Sequence, residues 1–176
     1  PRSRPLPGAD VDYKEFLARN TRTVRNVVGI LPGSDPSRRA EAIVIGAHYD
    51  HLGRGETGGF GIKGEENQIH NGADDNASGT VAVMEIARAL SRLKPKRTIL
   101  IQFYSAEEMG LLGSRHYCEN PMFPLGSPDI SKHVAMINLD MVGHLKKDGY
   151  RVSVPDSELD IQMKIAELGE KYGFAR

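Results

Sequence analysis

The stretch Ala42-Ile-Val-Ile-Gly-Ala-His48-Tyr-Asp50-His51 decides the fold, because a short apolar run leads directly into polar side chains. Such a run is typical of a strand that is buried on both faces of a sheet. Residues 98–104 and 134–139 have the same character, and apolar residues recur at helical spacing over 78–93. Buried strands that alternate with helices predict an α/β fold, a three-layer sandwich with a mixed, largely parallel central sheet.

The remaining segments extend this domain at both ends. Residues 1–20 contain a proline-rich start and a short helical pattern, and we expect them to form an N-terminal arm and a short helix. A further strand is predicted over 23–31. A last amphipathic helix should follow a cap at Asp156 or Ser157 and stop at Gly173. Residues 21–176 are therefore predicted to form one domain.

Composition excludes several classes of function. Lys+Arg and Asp+Glu are balanced at 23 each, so no global field attracts nucleic acid or a membrane surface. A run of about 18 apolar residues, which a membrane-spanning helix needs, does not occur in the sequence. The single cysteine, Cys118, cannot form an internal disulfide. The chain lacks an initiator methionine and a signal peptide, and we expect it to be the interior of a longer precursor.

Acidic and histidine side chains follow each buried strand. Ligands of open α/β sheets gather outside the carboxyl ends of the strands, so these side chains should meet at one edge. They are His48 after 42–47, Glu107 and Glu108 after 98–104, Asp140 after 134–139, and Asp74 just ahead of the 78–93 helix. Zinc binds imidazole nitrogen and carboxylate oxygen at about 2.0–2.2 Å. The sequence therefore predicts a site for divalent metal ions.

Two pairs of residues suggest distinct roles within this site. Asp50 lies two residues after His48, a plausible reach for a carboxylate that orients a metal-binding imidazole. Glu107 and Glu108 are adjacent on extended backbone and should project in opposite directions. One glutamate would then bind metal while the other acts as a general base. The alternative for each pair is an exposed acidic loop beside a histidine at a strand end.

The other acidic residues and histidines are open to more than one interpretation. Asp74 and Asp75 together suit either metal binding or the capping of a helix N-terminus, which Asn76 or Ser78 could already supply. Asp140 ends an apolar run, where a buried carboxylate needs a partner. The remaining histidines are predicted to be surface or core residues, with His144 the one candidate ligand: His51, His70, His116, His133 and His144.

Four motifs in a fixed order carry a family resemblance. They are His48-Tyr-Asp50-His-Leu-Gly, Gly-Ala-Asp74-Asp75-Asn-Ala-Ser-Gly, Ala-Glu107-Glu108-Met-Gly-Leu-Leu-Gly-Ser and Asn-Leu-Asp140-Met. Over about residues 27–143, the sequence resembles the M28 family of co-catalytic zinc aminopeptidases. The resemblance implies the zinc-peptidase (phosphorylase/hydrolase-like) type of sandwich. It also implies two Zn²⁺ ions per complete catalytic domain.

The resemblance also implies a role for each residue of the site. One zinc would be held by His48, Asp140 and a bridging Asp74, and the other by Asp74, Glu108 and a later histidine. Glu107 would be the general base, and Asp50 would orient His48. Asp75 would be the partner of a cis peptide after the bridging aspartate. Because no later histidine of this kind follows, we expect the C-terminal part of the catalytic domain to be missing from the chain.

The activity that the resemblance implies is removal of residues from the free N-terminus of peptides by water activated between two zinc ions. Many members of the family are secreted or periplasmic, and the same setting is expected here. Three alternatives stay open. Two are enzymes of the same fold, a glutaminyl cyclase, which uses a single zinc, and a carboxypeptidase. The third is a non-catalytic, peptidase-like binding module.

Overall fold

The computed structural model describes residues 21–55, 67–144, 151–155 and 158–173. The predicted N-terminal arm and short helix, residues 1–20, lie outside this part of the chain. In the described part, no helix is both long enough and apolar enough to cross a membrane.

Four strands form one mixed sheet in the part of the chain that the structure describes. They are β1 (Val27–Leu31), β2 (Ala42–His48), β3 (Thr98–Tyr104) and β4 (His133–Asn138), in the spatial order β1-β3-β2-β4. Strand β2 runs parallel to both β3 and β4, whereas β1 pairs antiparallel with β3. The strands predicted over 42–47, 98–104 and 134–139 are confirmed to within a residue at each end. The first strand begins at Val27, which pairs with Phe103, and not at residue 23 as predicted.

The described residues contain three α-helices: α1 (Gly79–Leu90), α2 (Leu112–Glu119) and α3 (Leu159–Tyr172). Helix α1 ends three residues before the predicted boundary. Gly173 terminates α3 with φ of 73°, the left-handed conformation that glycine adopts without steric cost. A single 3-10 turn, Ile130–Lys132, precedes β4 and was not predicted.

The core lies on both faces of the sheet, because successive side chains of β2 and β3 point to opposite sides. On one face, Leu100 and Tyr104 pack with Tyr117 of α2. On the other face, Ile99 packs with Val83 of α1. A fully buried side chain of this size stabilises the fold by about 1.5–3 kcal/mol. Helices on both faces of a mixed sheet confirm the predicted three-layer α/β sandwich.

The periphery is less buried than the sequence predicts. Strand β4 has the apolar character of a central strand, yet Met136 is 52% exposed, because β4 is an edge strand among the described residues. Helix α3 forms with its predicted apolar stripe, but none of its residues is buried. The sequence pattern thus predicted both elements correctly, but the burial that it indicated for β4 is wrong.

The parallel register determines where functional side chains meet. His48 at the end of β2 pairs with Tyr104 at the end of β3, and Gly46 pairs with Asn138 at the end of β4. The segments that leave these three strands therefore start at the same edge of the sheet. Helix α1 begins at this edge as well, since the Thr80 hydroxyl donates to the His48 carbonyl at 3.0 Å.

Replacement of Gly79 by alanine should destabilise the protein by about 1–3 kcal/mol, because overpacking forces the backbone apart. A Cβ there would collide with the carbonyl oxygen of Leu139 and with Oδ1 of Asn76. The free energy of unfolding from denaturant titration measures the effect. Gly29→Ala is the matched control, since its Cβ would meet nothing closer than 3.7 Å. Equal stability of the two variants would contradict this packing.

Candidate metal centre

His48 is held in one tautomer at the end of β2. Its side chain is almost fully buried, and its Nδ1 lies 3.1 Å from the carbonyl oxygen of Asp50. A carbonyl oxygen only accepts hydrogen bonds, so Nδ1 carries the proton and donates it. Nε2 is then left with its lone pair, which is the state that a metal-binding imidazole requires.

The carboxylate of Asp50 binds the glutamate segment and not the ring of His48. It lies 3.7 Å from Nδ1 of His48, beyond hydrogen-bonding distance. Its two oxygens instead accept from the backbone N–H groups of Glu107, at 3.1 Å, and Glu108, at 3.3 Å. Asp50 therefore orients His48 through its main chain and holds the glutamate segment with its side chain.

The first candidate ligand group surrounds Nε2 of His48. This atom lies 3.2 Å from Oδ1 of Asp75 and 3.5 Å from Oδ1 of Asp140. Ligands bound to zinc at about 2.0–2.2 Å in tetrahedral geometry lie roughly 3.3–3.5 Å from one another. The spacing and the donor types therefore fit one divalent cation. Oε2 of Glu107 lies slightly farther away, at 3.9 Å from Nε2.

A second candidate ligand group lies on the other side of Asp75. Nδ1 of His51 is 2.7 Å from Oε1 of Glu108 and 3.8 Å from Oδ2 of Asp75. The side chain of Glu108 is nearly buried, and that of His51 is about one-fifth exposed. Asp75 thus presents one carboxylate oxygen to each group, the arrangement expected of a ligand that bridges two ions.

Asp74, for which the family resemblance implied the bridging role, lies elsewhere. Its Oδ1 accepts from the backbone N–H of Gly143 at 2.8 Å, and Asp74 belongs to neither ligand group of the described residues. The turn Ala73–Ser78 has non-helical dihedral angles at Asp75 and Asn76, so adjacent side chains diverge. The cis peptide likewise lies between Asp75 and Asn76, one residue later than the resemblance implied.

Asn76 ties this turn to the segment that carries Asp140. The residue is 1% exposed, and its Nδ2 donates to the carbonyl of Leu139 at 3.0 Å. Its Oδ1 accepts from the N–H of Gly79 at 2.9 Å, which caps α1 as one of the two predicted candidates. The same oxygen accepts from Met141 at 3.4 Å. The two neighbours of Asp140 are therefore fixed relative to Asp75.

Asp140 differs from its predicted environment in one respect. Its side chain is 42% exposed rather than buried, since β4 is an edge strand among the described residues. The carboxylate of Asp140 still lies close enough to His48 to raise the pKa of the imidazole. Burial of the His48 ring lowers the pKa of that side chain, but the carboxylates of Asp140, Glu107 and Asp75 outweigh burial and raise the pKa above its ordinary value.

The electrostatics of Glu107 suit a group that accepts protons. Burial raises the pKa of its carboxyl, and the neighbouring carboxylates of Glu108, Asp140 and Asp50 raise it further, against the opposing effect of His48. A general base works best when its pKa approaches the working pH. The crowding of carboxylates around two imidazoles also makes the edge of the sheet a favourable place for cations.

His51 is the site residue that sequence reasoning missed. It was assigned to the surface or core because it does not end a strand. The available signal was its position three residues after His48, on the same segment leaving β2. His144, the histidine singled out as a candidate, is exposed and belongs to neither ligand group of the described residues.

Comparison with known proteins identifies relatives of similar sequence. The chain is 32% identical over 141 residues to leupeptin-inactivating enzyme 1 from Streptomyces exfoliatus, covering 79% of the chain and 27% of that protein. It is 30% identical over 129 residues to aminopeptidase YwaD from Bacillus subtilis, covering 73% and 24% respectively. The chain thus spans about a quarter of the length of these relatives.

A solved structure and a family model extend this agreement. The zinc aminopeptidase BSAP from Bacillus subtilis superposes with a TM-score of 0.62 at 27% identity. The superposition covers 85% of the chain and 32% of BSAP. The model of Peptidase family M28 matches residues 26–176, a span that contains all of the strands and helices described above. The chain therefore belongs to peptidase family M28.

Proposed function

We propose that the protein is a zinc-dependent exopeptidase that hydrolyses the N-terminal peptide bond of peptides, with two metal ions and Glu107 as general base. The observation that carries this proposal is the carboxylate of Asp75, whose two oxygens face two separate ligand groups. Relatives described as aminopeptidases share the fold, at 27–30% identity over the matched residues.

The donor set supports the proposed number of ions. His48, Asp75 and Asp140 would hold the first cation, and Asp75 with Glu108 would contribute to the second. Five carboxylates and two imidazoles lie close together at this edge of the sheet. They belong to Asp50, Asp75, Glu107, Glu108 and Asp140, and to His48 and His51. Two divalent cations would compensate most of this negative charge, which a single ion would leave largely unbalanced.

Glu107 is the residue placed to move protons. When bound, the two cations would lower the pKa of a water molecule and polarise the scissile carbonyl. Glu107 takes a proton from the attacking water and passes it to the amine that leaves, so the carboxylate is regenerated in each cycle. Asp50 holds the backbone of Glu107 in position during both transfers.

The proposed substrate is a peptide with a free N-terminal amine, because two divalent cations leave one of the five carboxylate charges unbalanced, and this charge can hold an ammonium group. We also propose that the protein works outside the cytoplasm, as the family resemblance implies. A glutaminyl cyclase of the same fold binds a single zinc, so it would not need the second carboxylate oxygen of Asp75 as a ligand. A non-catalytic binding module would not need Glu107 as a general base.

Asparagine at position 75 should abolish the stabilisation that zinc gives, because a neutral amide cannot bridge two cations. At about 100 times its Kd, zinc raises the free energy of unfolding by about 2.7 kcal/mol for each site. Thermal unfolding with and without zinc, followed by removal of the metal with a chelator, measures this effect. We expect Asp75→Asn to lose it almost completely.

Asp74→Asn is the matched control, since it removes an equal charge from the neighbouring residue. Its Oδ1 can still accept the hydrogen bond from Gly143. This variant should keep the stabilisation by zinc. If Asp74→Asn lost it and Asp75→Asn kept it, the bridging role would return to Asp74.

Glutamine at position 107 should lower turnover by a factor of roughly 10²–10⁴, the usual contribution of a general base. Zinc content should stay unchanged, because Glu107 lies outside both ligand groups. Release of the N-terminal residue from a peptide with a free amine, compared with its N-acetylated form, measures turnover. Glu119→Gln, on the exposed end of α2, is the control. Undiminished turnover by Glu107→Gln would remove Glu107 from the base role. Absence of turnover in the zinc-loaded complete protein would contradict the proposed function.

A further inference from the structure

We propose that Asn26 is a positioning residue for Glu107, because its side-chain amide holds the loop that carries this glutamate. The loop comprises residues 105–113 (the glutamate loop) and runs from the end of β3 into the first turn of α2. Asn26 lies just before β1, far from this loop in sequence. The inference rests on the proposed role of Glu107 as general base and adds to it a residue that fixes the position of that base.

The amide of Asn26 binds both ends of the glutamate loop. Its Oδ1 accepts from the backbone N–H of Ser105 at 3.1 Å, and its Nδ2 donates to the carbonyl oxygen of Gly113 at 2.8 Å. The two ends pack so closely that a Cβ at Gly113 would collide with the carbonyl oxygen of Ser105 and with Oδ1 of Asn26. One side chain thus forms a clamp across the two ends of the loop.

Asn26 is itself fixed by the chain on either side of it. The carbonyl oxygen of Arg25 accepts from the hydroxyl of Tyr49 at 2.5 Å, and Val27 pairs with Phe103 in the sheet. The side chain of Asn26 is half-buried between these attachments. The clamp is therefore connected to the sheet and to the segment that leaves β2.

The glutamate loop needs a clamp because Ala106 has an unfavourable backbone conformation. Its φ is 55°, in the left-handed region where a side chain crowds the backbone. Such a conformation persists only when the surrounding structure enforces it. On one side of Ala106, Asn26 holds the N–H of Ser105, and on the other side the carboxylate of Asp50 holds the N–H of Glu107. Loss of Asn26 should let the turn relax and displace Glu107.

The position of Glu107 matters because a general base must lie within hydrogen-bonding reach of the proton that it accepts. Its Oε2 lies 3.9 Å from Nε2 of His48, beside the first candidate ligand group. A misplacement of about 1 Å can lower the rate of a catalysed step about 100-fold. The residues of the first candidate ligand group come from other segments, so the binding of that cation should not depend on Asn26.

The other interpretation is that Asn26 only ties β1 to α2 and stabilises the fold. Loss of Asn26 would then expose the amide of Ser105 to exchange with solvent. The amides of Glu107 and Glu108 would stay protected, because the carboxylate of Asp50 still accepts from both. Turnover per folded molecule would also stay unchanged. The clamp predicts that the amides of both glutamates and the turnover all change.

Amide hydrogen exchange in the zinc-loaded complete protein tests how far the effect of Asn26 extends. Asn26→Ala should accelerate exchange at Ser105, Glu107 and Glu108 about tenfold, in line with the modest net strength of two hydrogen bonds. Addition of Ala106→Gly should restore protection at Glu107 and Glu108 but not at Ser105, since glycine adopts a positive φ without steric cost. Protection of both glutamate amides in Asn26→Ala would overturn the proposal.

Asn120→Ala is the matched control for these measurements. It also removes a side-chain amide that binds a carbonyl oxygen, but its partner, His116, lies on its own helix α2. Exchange in the glutamate loop should not change in this variant. Far-UV circular dichroism gives the folded fraction of each variant, so turnover can be expressed per folded molecule.

Turnover of a peptide with a free N-terminal amine completes the test. Asn26→Ala should lower kcat about 10–100-fold and change KM little, because a displaced base affects the chemical step. Addition of Ala106→Gly should recover most of this loss. Asn26→Asp keeps the acceptor for Ser105 and loses only the donor to Gly113, so it should fold even if Asn26→Ala does not, and should lower kcat by a smaller factor.

The outcomes separate this inference from the proposed function. Wild-type kcat in the Asn26 variants, or no recovery on addition of Ala106→Gly, would overturn the role of Asn26 and leave the proposed function intact. Absence of turnover in the wild type and in all variants would refute the proposed function. The exchange pattern alone would then decide whether Asn26 holds the glutamate loop.

Discussion

The carboxylate of Asp75 is the constraint on which the candidate site depends. One of its oxygens lies 3.2 Å from His48 and the other 3.8 Å from His51, so one side chain serves two ligand groups. This arrangement requires that the backbone turn sharply just before α1. The buried amide of Asn76 stabilises that turn with bonds to Leu139, Gly79 and Met141. The position of Asp75 therefore depends on a neighbour that binds no metal in this account.

The sheet supplies the second requirement, which is a common edge for four separate segments. Strands β2, β3 and β4 are parallel and in register, so the chain leaves each of them at the same side. Cross-links between the segments then fix the side chains. Asp50 binds the backbone of the Glu107–Glu108 segment, and Thr80 binds the end of β2. Such outer contacts commonly determine how well a metal site is preorganised.

The layers and strands could be predicted from sequence, because a short apolar run such as residues 42–47 is typical of a buried strand. The meeting of His48 with Asp140 and the two glutamates follows from the same pattern, since parallel strands bring their ends together. Exposure could not be predicted in the same way. Helix α3 has an apolar stripe by periodicity, but which surface covers a stripe is a property of tertiary structure. Burial of β4 was overestimated for the same reason.

The choice between Asp74 and Asp75 lies beyond sequence reasoning of this kind. Both residues are aspartates at the start of a helix, and only the local dihedral angles determine which carboxylate faces His48. His51 could not be predicted from strand ends, because it lies three residues past the end of β2 and meets Glu108 and Asp75 only in the folded chain. Its spacing of three residues from His48 was compatible with a second ligand, but a pair of histidines at this spacing is common in loops and on helices.

The most direct test of the central claim is anomalous diffraction at the zinc edge from crystals of the chain grown with zinc. Two peaks are expected about 3.5–4 Å apart, a spacing typical of two-metal sites, with one oxygen of Asp75 bound to each metal ion. A single peak that Asp75 touches through one oxygen, or a bridging contact from Asp74, would contradict it.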